Sequence, residues 1–199
     1  MILDFKTLKL LFRSYRGWYL SFIGIGVFFA IRNIIVGGDA IVGLLFPLIP
    51  TLVMLTILTF LLRQRAQKKY FKEFVKDDGW REINPRKTPK PLKDWGSFGE
   101  SVTAEAKRES KPQMQIGMLE YYEGGSSGGK GFSMSWYLTW QVFAAIPLRE
   151  PAPNKAVSRK IDRSRYEAAW GDGELFLLTD SSLQTPGDIK RLVKFASTL

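Results

Sequence analysis

Apolar positions are spread very unevenly along this chain. Two long hydrophobic runs, residues 18–36 and 40–62, stand near its start and are separated only by Gly37, Gly38 and Asp39. A helix advances about 1.5 Å per residue, so a hydrocarbon core about 30 Å thick takes roughly 20 residues to cross. Each run has that length, and the pattern predicts a transmembrane helical hairpin. Ahead of it, over residues 3–16, Lys6, Lys9, Arg13 and Arg16 recur three or four apart, with Leu3, Leu8, Leu10, Leu11, Phe12 and Tyr15 around the rest of the surface. This spacing predicts a basic amphipathic helix or lead-in at the membrane surface, with Trp18 and Tyr19 at interfacial depth. Within the first run, Gly24, Gly26 and Ala30 would let the second span approach closely. Arg32 and Asn33 lie near its outer end, where a long side chain can snorkel to the headgroups. Pro47 and Pro50 predict a kink or a late start in the second span.

Past Leu62 a helical period continues over residues 63–78. Ala66, Tyr70, Phe71, Phe74 and Val75 fall on one side, and Gly79 supplies the stop. That side is expected to pack on the soluble domain and couple it to the anchor. Residues 84–93, with Pro85, Pro89 and Pro91 among Arg86, Lys87, Lys90 and Lys93, read as an extended linker beside the headgroups. From Trp95 the period changes to two. Strands are expected over 101–107, 114–121, 132–142, 156–161, 165–170 and 174–179, with the last two joined by Gly171, Asp172 and Gly173. In the 132–142 run Phe132, Met134, Trp136, Leu138, Trp140 and Val142 face one way and Ser133, Ser135, Tyr137, Thr139 and Gln141 the other, which predicts one dry face. A closing helix is expected over 186–197, capped by Thr185, started by Pro186 and striped by Ile189, Leu192, Val193 and Ala196. The expected fold is a membrane-anchored α+β protein: a hairpin in 1–62, a juxtamembrane helix and linker in 63–93, and in 94–199 a mainly antiparallel β-sheet domain ending in a helix.

Charge refines this reading. The formal net charge is +10, yet its placement is lopsided. From 63 to 93 eleven basic residues face four acidic ones, whereas 94–199 holds thirteen of each sign. The excess therefore flanks the apolar runs, as the positive-inside rule requires of cytoplasmic segments, and the hairpin turn offers only Asp39. Both termini are expected in the cytoplasm, with the protein multi-pass in a plasma (inner) membrane. Lys6, Lys9, Arg13, Arg16, Arg63, Arg65, Lys68 and Lys69 are the candidate contacts to anionic headgroups, at about 1 kcal/mol each. A neutral domain speaks against nucleic acid as partner. A secretory signal peptide cut near Gly37, Gly38 or Ala40 fits less well, because a second spanning run follows at once.

Candidate chemistry is sparse. With no histidine and no cysteine, the usual general base, the thiol nucleophile and the preferred zinc ligands are missing. Residues 124–130 mimic a phosphate-binding loop, but Gly131 stands where its Ser or Thr belongs and the segment runs into a strand rather than a helix. Ser126 and Ser127 near Lys130 form no convincing dyad on a glycine-rich tip. Asp172, Glu174 and Asp180 read as solvated acids, and Trp136, Tyr137, Trp140, Phe143 and Trp170 as core before groove. No catalytic residue, cofactor or metal is expected.

Residues 71–80, ending Asp78-Gly79-Trp80, the strands around Tyr121 and residues 136–147, and residues 171–175 with 186–199 together resemble a loose group of uncharacterised bacterial membrane proteins. These have two N-terminal spans, a juxtamembrane helix and a small β-rich domain. The resemblance implies that architecture and a bacterial origin, and no activity. The expected role is a cytoplasmic binding domain on a membrane anchor, acting as scaffold, accessory subunit or sensor of an envelope complex, with a protein partner or self-association. A subunit of a transport or secretion assembly is the alternative, and a membrane-bound carboxylate enzyme a more distant one.

Overall fold

Five of the six strands fall on runs expected from the sequence, and the topology shows how they are joined. The computed structural model describes residues 5–36, 40–77, 79–93, 98–108, 113–125 and 135–199. Within these the chain divides into two compact units, Ile2–Ala66 and Gln67–Leu199. The first is helical. It holds α1 (Phe5–Ser14), α2 (Arg16–Ile35) and the greater part of α3 (Ala40–Asp77). Both α2 and α3 are long and apolar enough to cross a membrane.

Inside this unit α2 and α3 run antiparallel. The buried Tyr19 hydroxyl donates to Thr59 Oγ1 at 2.9 Å, and a Cβ on Gly26 would meet Thr51 Oγ1 at 2.5 Å. Gly26 thus lets the two helices close up, as small residues do between apolar helices. Gly24 does not share that role, since a Cβ there would meet nothing within 4 Å. Nor do the prolines delay the second helix: α3 begins at Ala40 and carries Pro47 and Pro50 inside it. The Thr51 hydroxyl donates to the Pro47 carbonyl at 2.7 Å, so local side chains serve the backbone there.

The second unit is α+β. Its six strands are β1 (Arg81–Ile83), β2 (Phe98–Arg108), β3 (Met114–Gly125), β4 (Ser135–Pro147), β5 (Glu167–Gly171) and β6 (Glu174–Leu178). They form one open antiparallel sheet in the order β1-β2-β3-β4-β6-β5. The β5–β6 turn is a two-residue loop in which Asp172 and Gly173 take φ of 55° and 76°, the left-handed pair whose twist matches a hairpin. Gly79, at φ 69°, follows the end of α3 as expected. The unit also holds α4 (Lys90–Lys93), α5 (Lys155–Asp162) and α6 (Pro186–Ala196).

Three expectations about this unit need correction. Residues 156–161 form a helix, α5, and not a strand. Asn154 accepts from the Val157 N–H at 3.0 Å and caps it, and only Ile161 is buried, so the segment has no alternating dry face to pair. The proline-rich stretch is no free spacer: Leu92 of α4 is fully buried in the cluster with Val102, Leu119, Tyr121, Phe143 and Phe176. Its neighbour Pro91 sits where a Cβ on Gly171 would be. Finally, β4 is dry on both faces over 139–145, with Thr139, Gln141 and Phe143 as buried as Trp140 and Val142. Residues 132–134 and the tip at 126–131 lie outside the described residues.

α3 enters the second unit at Gln67. Its Oε1 accepts from the Gln184 N–H at 2.9 Å while its Nε2 donates to the Gln184 carbonyl at 3.3 Å, so a buried amide pairs with backbone just ahead of α6. Phe71, Phe74 and Val75 are buried, and the Phe74 ring meets Trp80 at 5.6 Å. The apolar side read from the sequence is therefore the side that packs.

Candidate functional site

An open groove of about 800 Å³ runs along β1, the short edge strand, between the last turns of α3 and the middle of β2. Each wall has a local cause. On α3, Phe71 faces the core, which leaves Lys68 and Lys72, one turn apart, exposed along the groove. On the sheet, antiparallel register sets Arg81 directly opposite Lys107, Glu82 opposite Ala106 and Ile83 opposite Glu105. Two like-charge neighbours thus converge, Lys68 with Lys72 and Arg81 with Lys107. Such pairs ordinarily destabilise a helix or a ladder. None of these four cations has a carboxylate partner among the described residues, whereas the adjacent Lys69 pairs with Glu73 at 3.7 Å.

Thr103 belongs to the same groove. The β2–β3 register steps from Val102 opposite Leu119 to Ala104 opposite Met118, so Thr103 is the extra residue of a β-bulge. Bulges re-aim a side chain, and the Thr103 hydroxyl is buried without a hydrogen-bond partner while lining the groove.

Glu105 forms the floor. Its side chain is wholly buried and meets Arg86, which crosses from the proline-rich segment. The Arg86 N–H donates to Glu105 Oε2 at 3.1 Å, and Arg86 Nε lies 2.9 Å from Oε1, close enough for charge attraction but out of line for a hydrogen bond. Arg86 Nη1 donates to Glu174 Oε2 at 2.7 Å, and the guanidinium stands 5.6 Å over the Phe176 ring. Burial pushes the Glu105 carboxyl above its ordinary value, and the nearby Glu174 adds to the rise. The Arg86 N–H and guanidinium counter them only in part.

The other candidate positions are dispersed. Lys6, Lys9 and Arg13 on α1 and Arg16 at the start of α2 are exposed, as is Arg65, while Arg63 is half-buried. All six belong to the helical unit, so only Lys68 of the eight sequence candidates lines the groove. The acids suspected of chemistry do not converge either. Asp172 Oδ2 accepts from the Lys90 N–H at 3.2 Å, Glu174 holds Arg86, and Asp180 Oδ1 accepts from Ser182 and Gln184. Trp140 is core, donating to Glu120 Oε2 at 3.0 Å, but Trp170 is 53% exposed. Trp170 lines a smaller cleft of about 300 Å³ with Pro153, Ile161 and Tyr166. Burial raises the Tyr166 hydroxyl above its usual value there.

Sequence reasoning missed Lys72, Arg81, Thr103 and Lys107. Lys72 carried a signal, being one turn from Lys68. The other three are assembled by strand register and a bulge, which no local pattern encodes. Chemically the groove offers ammonium and guanidinium donors and one spare hydroxyl, an arrangement suited to holding an anion. Among the described residues no group of three or more Asp or Glu is placed to hold a metal ion. Compared with known proteins, the chain matches no protein family, no curated protein and no solved structure.

Proposed function

We propose that this chain is an integral protein of a plasma (inner) membrane. In this reading α2 and α3 span the bilayer as a hairpin, both termini are cytoplasmic, and the α+β unit is a binding domain that acts as scaffold, accessory subunit or sensor of an envelope complex. One observation carries the reading. Large apolar side chains point outward all along the two helices, Trp18 at 57%, Phe28 at 63% and Phe46 at 74% exposure among them. A patch of that extent is unusual on a protein in water and suits a lipid surround. The hydroxyls of Thr51, Thr56 and Thr59 donate to carbonyls one turn earlier in α3, which suits a helix facing hydrocarbon.

Binding is favoured over bond-breaking chemistry because the groove along β1 collects four cations without a carboxylate partner among the described residues, while Asp172, Glu174 and Asp180 are each engaged elsewhere. In the test of anchoring, the full chain stays with the membrane pellet after alkaline carbonate extraction, and a reporter fused after Leu199 is active in the cytoplasm. Release by carbonate, or activity on the outer side, defeats the reading. Affinity purification in mild detergent tests the binding role, which recovery of monomer alone would contradict.

A further inference from the structure

We infer that the groove along β1 holds the phosphate headgroup of an anionic phospholipid, gripped by Lys68, Lys72, Arg81 and Lys107 with the Thr103 hydroxyl as a neutral donor. The inference rests on the anchored reading for the source of the phosphate. The binding chemistry rests on the groove alone.

Two independent features point to an anion, and a third answers the objection that an acid lies in the groove. Arg81 and Lys107 are register partners, and Lys68 and Lys72 are one helical turn apart, so the fold pairs like charges twice around one space. Each pairing costs stability until a negative group lies between its members. The second feature is the bulge, which leaves Thr103 Oγ1 buried and unpartnered at the groove wall, where an O–H can donate to a phosphate oxygen. The third is the floor. Glu105 would repel an anion, but Arg86 lies against it and burial favours its neutral form, so the cations of the groove are not spent on it. Glu82 is the remaining acid of the lining and is outnumbered by the cations.

The source is argued from chain continuity. Lys68 follows Leu62, the end of the second apolar run, within two turns of the same helix. In an anchored chain those turns leave the bilayer at the depth of the headgroups, where lipid phosphate is far more concentrated than any soluble phosphate ester.

The test is native mass spectrometry of the full chain in mild detergent with equal amounts of phosphatidylglycerol and phosphatidylcholine. The unsubstituted chain is expected to retain phosphatidylglycerol selectively. K68Q/K72Q/R81Q/K107Q should lose at least roughly tenfold in that retention, and T103V, which leaves every charge in place, several-fold. K68R/K72R/R81K/K107R keeps the charges, controls for folding and should retain the lipid. K6Q/K9Q/R13Q controls for the basic face of α1 and should keep the selectivity. Equal retention by the unsubstituted and the glutamine chains overturns the inference. So does loss of retention confined to the α1 variant, or complete displacement of lipid by millimolar glycerol phosphate, which would assign the groove to a soluble ester. Release of the chain by carbonate would defeat the anchored reading by itself, and is read separately from lipid retention.

Discussion

Arg86 and Glu105 are each other's condition for burial. Glu105 has no water contact, so at a pH where it is ionised removing Arg86 would strand a carboxylate inside the sheet, a change that ordinarily costs about 3–5 kcal/mol. Arg86→Ala is therefore expected to lower the thermal midpoint sharply, and Arg86→Ala with Glu105→Gln to recover much of the loss, because the stranded charge is gone. A double-mutant cycle by thermal melting checks both. The same burial gives a pH dependence of definite sign. The folded carboxyl binds its proton more readily than the unfolded one, so its contribution to stability is fully present below the ordinary value of 4.5 and is lost as pH rises through the raised value. The stability of the unsubstituted chain relative to Glu105→Gln should rise as pH falls from neutral to 4.5. A constant difference would show that burial does not shift the group. Neither residue stood out in the sequence, where Arg86 looked like one charge of a linker and Glu105 like a polar position of an alternating strand.

At the scale of elements, the ends of helices were more legible than their neighbours. α6 was readable in full because its signals are local: Thr185 accepts from the Asp188 N–H while the Asp188 side chain accepts from the Thr185 N–H, a reciprocal capping box. Thr185→Ala should cost about 1 kcal/mol, seen as a small fall in thermal midpoint with the fold retained. α5 was misread as a strand because Ala156, Val157 and Ile161 are too few to set a period, so the Asn154 cap decides the outcome. In the hairpin, small residues alone did not tell which glycine packs. Gly26 meets Thr51 and Gly24 meets nothing, since only the helix rotation chosen in the folded state distinguishes them. Gly26→Leu should therefore weaken α2–α3 pairing, measured as faster proteolysis of the hairpin in detergent, while Gly24→Leu leaves it unchanged.

For the molecule as a whole, the division at Gln67 predicts separable behaviour. A chain beginning at Gln67 should be recovered in the aqueous fraction with its β-sheet circular dichroism signal, whereas the full chain should require detergent. Recovery of both without detergent would remove the anchor from the picture. By itself the sequence determined the two long apolar helices, the asymmetry of charge around them, most of the strands and the final helix. Each of these depends on hydrophobic period and on capping or turn residues within a few positions, so short-range sterics and solvation suffice to specify it. Tertiary structure alone decided the rest. Leu92 and Arg86 turn the proline-rich stretch into part of the core, β4 is covered on both faces, and β1 exists only because β2 offers it an edge. The groove is the clearest case. Lys68, Lys72, Arg81, Thr103 and Lys107 come from three elements, brought together by a register and one bulge. Strand pairing is set by which long-range contacts bury the most surface with every backbone group satisfied, a sum over the whole domain that no local stretch contains.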